Sequence, residues 1–322
     1  MNERSDHLYL AASLYYVQGE TMESIARQLN VSRSSVSRLL KQARESGVVQ
    51  ITLTNPAGPR TSLGAHLGRA FGVRAHVVPV REGASDVHRL ERVARAAGQL
   101  ISESVRDDMV IGTAWGTTLG SVVQYLSPRE ARNTTVVQMN GAANPTTSGL
   151  RHVDAINSQF ASAFSSTVVP FPVPAFFDYA QTKRAMWRER SIQSVLALHE
   201  RIDLALFGVG GLSAEVPSQV YAQGYLDEAD WQQLQEHRVV GDVNTVFLRE
   251  DGSWQDIPLN DRASGMTPDQ LHRLPRRICV VAGTAKAQAL RGALRARVAT
   301  DVVLDEACAQ ALLNTLEPSL RR

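Results

Sequence analysis

Polar and apolar positions follow a helical period through the first 57 residues, then break into short apolar runs separated by helical stretches. Over residues 8–17, Leu10, Ala11, Leu14 and Val17 fall at helical spacing, and Gly19 closes the run. Thr21 is placed to cap a second helix, with Glu23 in its first turn, where the helix dipole favours negative charge. Ile25, Ala26 and Leu29 give that helix one apolar face about two turns long. Asn30 follows where the chain must turn, and asparagine tolerates the left-handed conformation that ends a helix. Val31 fills the corner, Ser32 caps a third helix, and Val36, Leu39 and Leu40 form its buried side. The spacing predicts a three-helix core containing a helix-turn-helix.

The exposed side of the third helix carries the chemistry. Ser32, Arg33, Ser34, Ser35, Ser37 and Arg38 face outward near its start, followed by Lys41 and Arg44. Five basic residues and no acidic one lie between Arg27 and Arg44. Hydroxyl and guanidinium groups near the start of such a helix reach base edges in a major groove, and later cations reach phosphates. The same charges would also suit a solvated surface helix. The small residue in the second helix, the asparagine corner and the apolar spacing together favour docking on double-stranded DNA. A single module reads one half-site, so a symmetric homo-oligomer on an inverted repeat is expected.

After residues 48–53, a β-branched run, Asn55-Pro56-Ala57-Gly58-Pro59 is the clearest linker signal. It divides the chain into 1–57 and 58–322. Beyond it, strands are predicted at 75–80, 109–112, 134–139, 167–170, 203–207, 277–282 and 302–304. Helices are predicted at 86–105, 117–126, 153–164 and 191–201. Buried strands alternating with helices imply a parallel sheet covered on both faces. The fold class is therefore α/β: a small all-α helix-turn-helix domain followed by a larger Rossmann-like α/β domain.

Ligands of such sheets bind past the carboxyl ends of the strands. Gly112-Thr113-Ala114-Trp115-Gly116-Thr117-Thr118 offers close backbone approach and then hydroxyls at a helix start, a way to cradle phosphate. An ordinary tight turn with a threonine cap uses the same residues. The ending required of a nucleotide P-loop is missing. Asn140-Gly141-Ala142-Ala143-Asn144 is small enough to leave room for a ligand, or is a plain loop. In Gly241-Asp242-Val243-Asn244, Asp242 can accept hydrogen bonds from sugar hydroxyls or serve a turn. Gly283-Thr284-Ala285-Lys286 puts a lysine in a first helical turn, unfavourable to the dipole unless an anion shares the mouth or the lysine is solvated. Gly208-Val209-Gly210-Gly211 lacks the dinucleotide pattern and is set aside.

Composition narrows the classes. At 322 residues the chain has room for two domains of about 150 residues each. It is 43% hydrophobic with no apolar run long enough to span a membrane, and nothing at its start resembles a signal peptide, so a cytoplasmic location is expected. The two cysteines, Cys279 and Cys308, sit in apolar contexts as buried thiols. The eight histidines show no ligand spacing, so no metal site is expected and no cofactor is implied. Residues 1–60 hold seven Lys/Arg against five Asp/Glu, and the remainder 27 against 27. The entire net charge of +2 lies in those first 60 residues, which include the segment assigned to DNA.

These motifs resemble the SorC family of bacterial transcriptional regulators over nearly the full length. The resemblance is carried by residues 31–40, by Trp115-Gly116-Thr117-Thr118 and by Val240-Gly241-Asp242-Val243. Further on it rests on Asp251-Gly252, Pro258-Leu259-Asn260-Asp261-Arg262, Ala282-Gly283-Thr284-Ala285-Lys286 and residues 300–306. It implies a sensor domain related in fold to sugar-phosphate isomerases, a phosphorylated sugar as effector, and a homodimer or homotetramer on operator DNA. By that resemblance Thr117, Thr118, Asp242, Lys286 and Arg262 belong to the effector site, and Gly116, Asn140 and Gly141 join them from the reading of their loops. Asn244-Thr245-Val246-Phe247-Leu248 departs from the Gly-Arg-Phe-Phe-Asp-like run that family members often carry there. The expected function is that of an effector-controlled regulator, a repressor and not an enzyme. The alternative is an isomerase-like enzyme with Asp242, Asp305 or Glu306 as its acid or base.

Overall fold

The computed structural model describes residues 3–49, 62–145, 150–212, 218–222 and 224–316. The chain separates into two compact units, Met1–Gly58 and Pro59–Arg322. The linker read at 55–59 and most of the run at 48–53 lie outside the described residues.

The first unit holds α1 (Glu3–Tyr16), α2 (Met22–Gln28) and α3 (Arg33–Glu45). Thr21 accepts a hydrogen bond from Ser24 N as the N-cap of α2, and Asn30 stands at φ 51 where the chain turns. Ser32 Oγ caps α3 by accepting from Ser35 N at 3.1 Å. Ser32→Ala is expected to cost α3 about 1 kcal/mol. In the full chain, that should speed hydrogen exchange of the α3 amides about fivefold. Unchanged exchange would show that the cap contributes nothing.

The core of this unit joins Ala11, Leu14, Ile25, Ala26, Val36 and Leu40, with Leu8, Ala12 and Ala43 beside it. The face expected for α1 is corrected here. Leu10 is 44% exposed and Val17 81% exposed, while Leu8, Ala11 and Ala12 are buried. α1 lies against the other two helices through Leu8, Ala11, Ala12 and Leu14, so Ala11 and Leu14 are buried as their spacing predicts, whereas Leu10 and Val17 fall outside the buried stripe. Val48 and Val49 form a bend after α3, with Val49 N donating to Ala43 O at 2.9 Å.

The second unit is built on a seven-stranded, wholly parallel sheet. Its strands are β1 (Arg74–Val78), β2 (Val110–Thr113), β3 (Thr135–Gln138), β4 (Thr167–Val169), β5 (Leu204–Gly208), β9 (Arg276–Val281) and β10 (Asp301–Asp305). Between them come β6 (Gly210–Gly211), β7 (Val239–Val243) and β8 (Val246–Arg249), which form a separate antiparallel sheet. The order of the large sheet is β1-β10-β9-β5-β2-β3-β4. Two apolar layers cover its faces. One includes Phe171, Phe207, Leu290 and Leu304, the other Val93, Ile101, Phe160 and Leu206. Successive residues of one strand serve opposite layers (Leu206 one, Phe207 the other), which is why the central strands are apolar on both faces through their middle.

The small antiparallel sheet was not anticipated, nor was the helix Ser62–Phe71. The long helix after β1 runs Asp86–Ser104. That after β2 stops at Val122 and passes into a 3-10 turn, Val123–Tyr125. Among the described residues no helix is long and apolar enough to cross a membrane.

Candidate functional site

In the first unit α3 presents Ser32, Arg33, Ser34, Ser37, Arg38, Lys41 and Arg44 as exposed residues, with Ser35 half-buried. The three serines at its start are engaged with one another. Ser32 Oγ lies 2.8 Å from Ser34 Oγ and 2.9 Å from Ser35 Oγ. Arg33 pairs with Glu23 of α2 at 2.8 Å, and Lys41 with Glu45 at 3.7 Å. Arg38 donates through Nε to its own helix, at Ser34 O, and pairs with no carboxylate among the described residues.

The second unit forms a cleft where the sheet changes direction. From β2 the chain runs outward through β3 to β4, then returns to place β5, β9 and β10 on the other side. The carboxyl ends of β2 and β5 therefore flank a topological switch point, where the departing loops diverge and leave a crevice. Ala114, Trp115, Gly116, Thr117 and Thr118 leave β2, Asn140 follows β3, and Gly208, Val209 and Gly210 leave β5. Lys286 follows β9, while Asp242, Asn244 and Thr245 come from β7 and its turn. These residues line one cleft.

Gly116 adopts φ 136, a conformation open to glycine, and leads into the helix Thr117–Val122 without a side-chain cap. The first amides of that helix have no partner within it. Thr118 is buried. Lys286 lies in a 3-10 turn (Thr284–Lys286) and is only 6% exposed, so it is a buried lysine and not a solvated one. It forms no ion pair within the usual contact distance among the described residues. Burial holds its ammonium below the ordinary lysine pKa, opposed by Cys308, Asp242, Asp86 and Cys279.

Asp242 sits on β7, where register pairs it with Gly210 of β6. The expectation that residues 241–244 form a loop past a large-sheet strand is thereby corrected. They are the end of an antiparallel strand and its hairpin turn. Asp242 Oδ1 accepts from Tyr221 Oη at 2.8 Å, and Oδ2 from Thr245 N at 3.1 Å. Burial raises its carboxyl pKa, against the two hydrogen bonds and the charge of Lys286. Burial also raises Tyr221, with the Asp242 carboxylate adding to the effect. A Cβ on Gly210 would stand 1.9 Å from Asp242 Oδ1, so only glycine admits the carboxylate at that position. The segment 208–211, set aside in the sequence, is thus one wall of the cleft.

Two expected residues are placed elsewhere. Arg262 is turned to Asp230, with which it forms an ion pair, and its Nη1 donates to Phe177 O at 3.2 Å. Asp230 belongs to the capping box of the helix Glu228–Glu236, and that fixed carboxylate draws the guanidinium away from the cleft. Gly141 lies behind the cleft wall. Its carbonyl accepts from Trp115 Nε1 at 2.8 Å and its N–H donates to Ser264 Oγ at 2.9 Å. A Cβ there would meet the carbonyls of Val173 and Pro174 at 2.3 Å, so the glycine answers a close backbone approach. Trp115 in turn stacks on Tyr225, whose hydroxyl burial pushes up to about 12.

Of the carboxylates considered for catalysis, Asp305 is fully buried and committed. It caps the helix Glu306–Asn314 through Cys308 N, accepts from Gly283 N and pairs with Arg89. Glu306 is exposed. Among the described residues no group of three or more His, Cys, Asp or Glu is gathered to hold a metal ion. Reading the sequence missed Gly208, Gly210, Ser218, Asn244 and Thr245 as lining residues. The glycines directly after the apolar β5 run were the signal for the first two, whereas nothing local marks the others.

Known proteins agree with both units. Residues 56–314 match the family model described as "Putative sugar-binding domain", and residues 13–46 match "Sigma-70, region 4". The "Deoxyribonucleoside regulator" of Bacillus subtilis (strain 168) is 32% identical over 309 residues, spanning 95% of this chain and 96% of that protein. The "Sorbitol operon regulator" of Klebsiella pneumoniae is 25% identical over 315 residues, 97% of this chain and 99% of that one. A solved domain of "a possible sugar-binding transcriptional regulator from Arthrobacter aurescens TC1" is 44% identical, with a TM-score of 0.74 over 81% of this chain and 100% of its own. The full-length sorbitol regulator SorC of Klebsiella pneumoniae shares the fold, with a TM-score of 0.80 at 23% identity over 97% of this chain and 100% of its own. A helix-turn-helix unit joined to a sugar-binding α/β unit, matched across both, places the chain in the SorC family of sugar-responsive, DNA-binding transcriptional regulators.

Proposed function

We propose that this regulator is a cytoplasmic repressor released or recruited by a phosphorylated sugar held in the switch-point cleft. The observation that carries this reading is the buried Lys286 ammonium, which shares one cleft with the uncapped Gly116-Thr117-Thr118 helix start. A buried cation facing free amide donors and hydroxyls is a complement to phosphate. Asn140 and Asp242 then face the sugar, and Gly141 supports the wall from behind. The names of the Bacillus and Klebsiella relatives, which refer to a deoxyribonucleoside and to sorbitol, support a carbohydrate-derived ligand. All are regulators by name, which supports control of transcription over turnover. The DNA-reading role falls to residues 1–57, and Ser32, Arg33, Ser34, Ser35, Ser37, Arg38, Lys41 and Arg44 are the residues proposed to meet DNA.

Reading an inverted repeat needs two copies of α3, so a homodimer or homotetramer is expected, with half-sites about one helical turn or a multiple apart. The test is linkage, measured on the full chain with its operator. The effector should change operator affinity by roughly 5- to 150-fold, and operator must change effector affinity by the same factor. Sedimentation should show an oligomer at micromolar concentration. A monomer with and without DNA, or a sugar phosphate that binds while leaving operator affinity untouched, overturns the reading.

A further inference from the structure

The turn between β7 and β8 enters the cleft instead of projecting into solvent. Val243 pairs with Val246, which leaves Asn244 and Thr245 as a two-residue hairpin loop. Both are left-handed, at φ 52 and φ 65. Such turns favour Asn-Gly, and a β-branched residue at the second position is a strained choice. The strain is held in place from several sides. Asp242 accepts the Thr245 N–H, the Thr245 hydroxyl donates to Asn244 O, and Gly265 leaves room for that carbonyl, which would lie 1.6 Å from any Cβ there. Strained backbone of this kind clusters at ligand sites.

What the strained turn delivers is an amide. Asn244 is 4% exposed and lines the cleft, yet neither its Nδ2 nor its Oδ1 has a partner among the described residues. Asn140 is 2% exposed, lines the same cleft, and its Oδ1 is likewise without a partner. Buried side-chain amides in folded proteins are nearly always paired with protein or water. Gln219 and Gln233 also carry an unpartnered oxygen but lie outside the cleft lining, and it is the gathering of three such atoms on one cleft that points to a ligand. Their chemistry is specific. Two are acceptors and one is a donor, so the ligand must donate at least twice. An ionised phosphate donates nothing, and a carbonyl donates nothing. An ammonium is disfavoured by Lys286 on the same cleft. Hydroxyl groups, each able both to donate to the two oxygens and to accept from the Asn244 amide, meet all three atoms, and they are what a sugar phosphate offers beside its phosphate.

We infer that Asn244, together with Asn140, reads hydroxyl groups on the carbon chain of the effector, and that the site rejects the deoxy form at those positions. This rests on the phosphorylated-sugar reading and goes beyond it by naming which sugars the cleft refuses. A deoxy analogue leaves a buried amide atom unpaired, which costs affinity without any clash.

The experiment uses the full chain and measures affinity for terminal phosphate esters of ribose, glucose and fructose, each beside its monodeoxy analogues. The ester that binds should lose roughly 10- to 100-fold in affinity when the hydroxyl facing Asn244 is removed. Asn244→Gly keeps the left-handed backbone and deletes only the amide. It should weaken the parent ester and bind that one deoxy analogue equally well. Asn140→Ser should abolish discrimination at a different hydroxyl, which tests the same idea through a residue outside the strained turn. If the parent and every deoxy analogue bind alike, or if Asn244→Gly and Asn140→Ser both keep the wild-type pattern, the inference is overturned while the phosphate reading stands. If none of the esters binds, both fall.

Discussion

Saturating the protein with the right sugar phosphate is expected to raise the melting temperature of the α/β unit by about 5 to 11 °C. At about 100 times its dissociation constant a ligand stabilises the folded state by about 2.7 kcal/mol, and each kcal/mol is worth about 2 to 4 °C for a domain of this size. The unphosphorylated sugar should give far less, because the buried Lys286 and the helix start at Gly116 are then left facing hydroxyls. Lys286→Ala should erase most of the shift. The shift should also depend on pH in a defined direction. Burial lowers the Lys286 pKa below 10.5, so between that lowered value and 10.5 the native state binds fewer protons than the unfolded chain. Ligand-free stability gains from this group as pH rises through that window. A bound phosphate favours the charged lysine, so ligand affinity should fall as pH is raised through the same lowered pKa. Scanning fluorimetry across neutral to alkaline pH reads both trends. A full shift in Lys286→Ala, or equal shifts from free and phosphorylated sugar, would place the phosphate elsewhere.

The second large effect concerns α3. Arg38→Ala should lose about 1 to 3 kcal/mol on the cognate operator and relax preference at one base pair. Arg38 is chosen because Arg33 and Lys41 already have carboxylate partners, Glu23 and Glu45, whereas Arg38 touches only its own helix. Exposed pairs of that kind are weak and break readily on DNA, but they leave Arg38 as the guanidinium least committed near the helix start. Lys41→Ala should instead weaken all sequences alike and flatten the salt slope by about one unit. Binding isotherms on operator and random DNA at several salt concentrations distinguish the two. Equal losses on both DNAs for Arg38→Ala would remove it from the bases.

Much of this molecule is written locally. Thr21 and Ser32 cap their helices, and Asn30 takes the left-handed turn, because a cap needs only a short polar side chain and a free amide a few residues on. The apolar runs that became β2, β3, β5, β9 and β10 were legible for a related reason. A strand buried on both faces is apolar along its middle, with polar residues only toward its ends, whatever its neighbours. Elements whose residues face two ways were harder. α1 carries more apolar residues than its core needs, so its spacing fits two overlapping stripes, and only packing against the other helices adds Leu8 and Ala12 to Ala11 and Leu14 and leaves Leu10 and Val17 outside. β6 is two glycines long and β7 contains a glycine and an aspartate, so neither resembles a strand until the two are paired.

The cleft divides in the same way. Lys286, Gly116, Thr117, Thr118, Asn140 and Asp242 could be named because each follows or ends an apolar run, and loop chemistry past a strand is a local property. Which of them share a cleft is a matter of strand order. β2 and β5 are more than ninety residues apart in sequence yet adjacent in the sheet, and their parallel register sets Gly208 against the Thr118 side chain. Arg262 carries the same charge as Lys286 and lies in an equally suggestive motif, but the fixed carboxylate of Asp230 draws it away. The burial of Asn244 is likewise invisible in a sequence whose asparagine marks a turn, since a turn residue is ordinarily solvated. Residue chemistry and its period are short-range and survive in one dimension. Which polar groups lose their water, and which face one another once they have lost it, is decided only when distant strands pair.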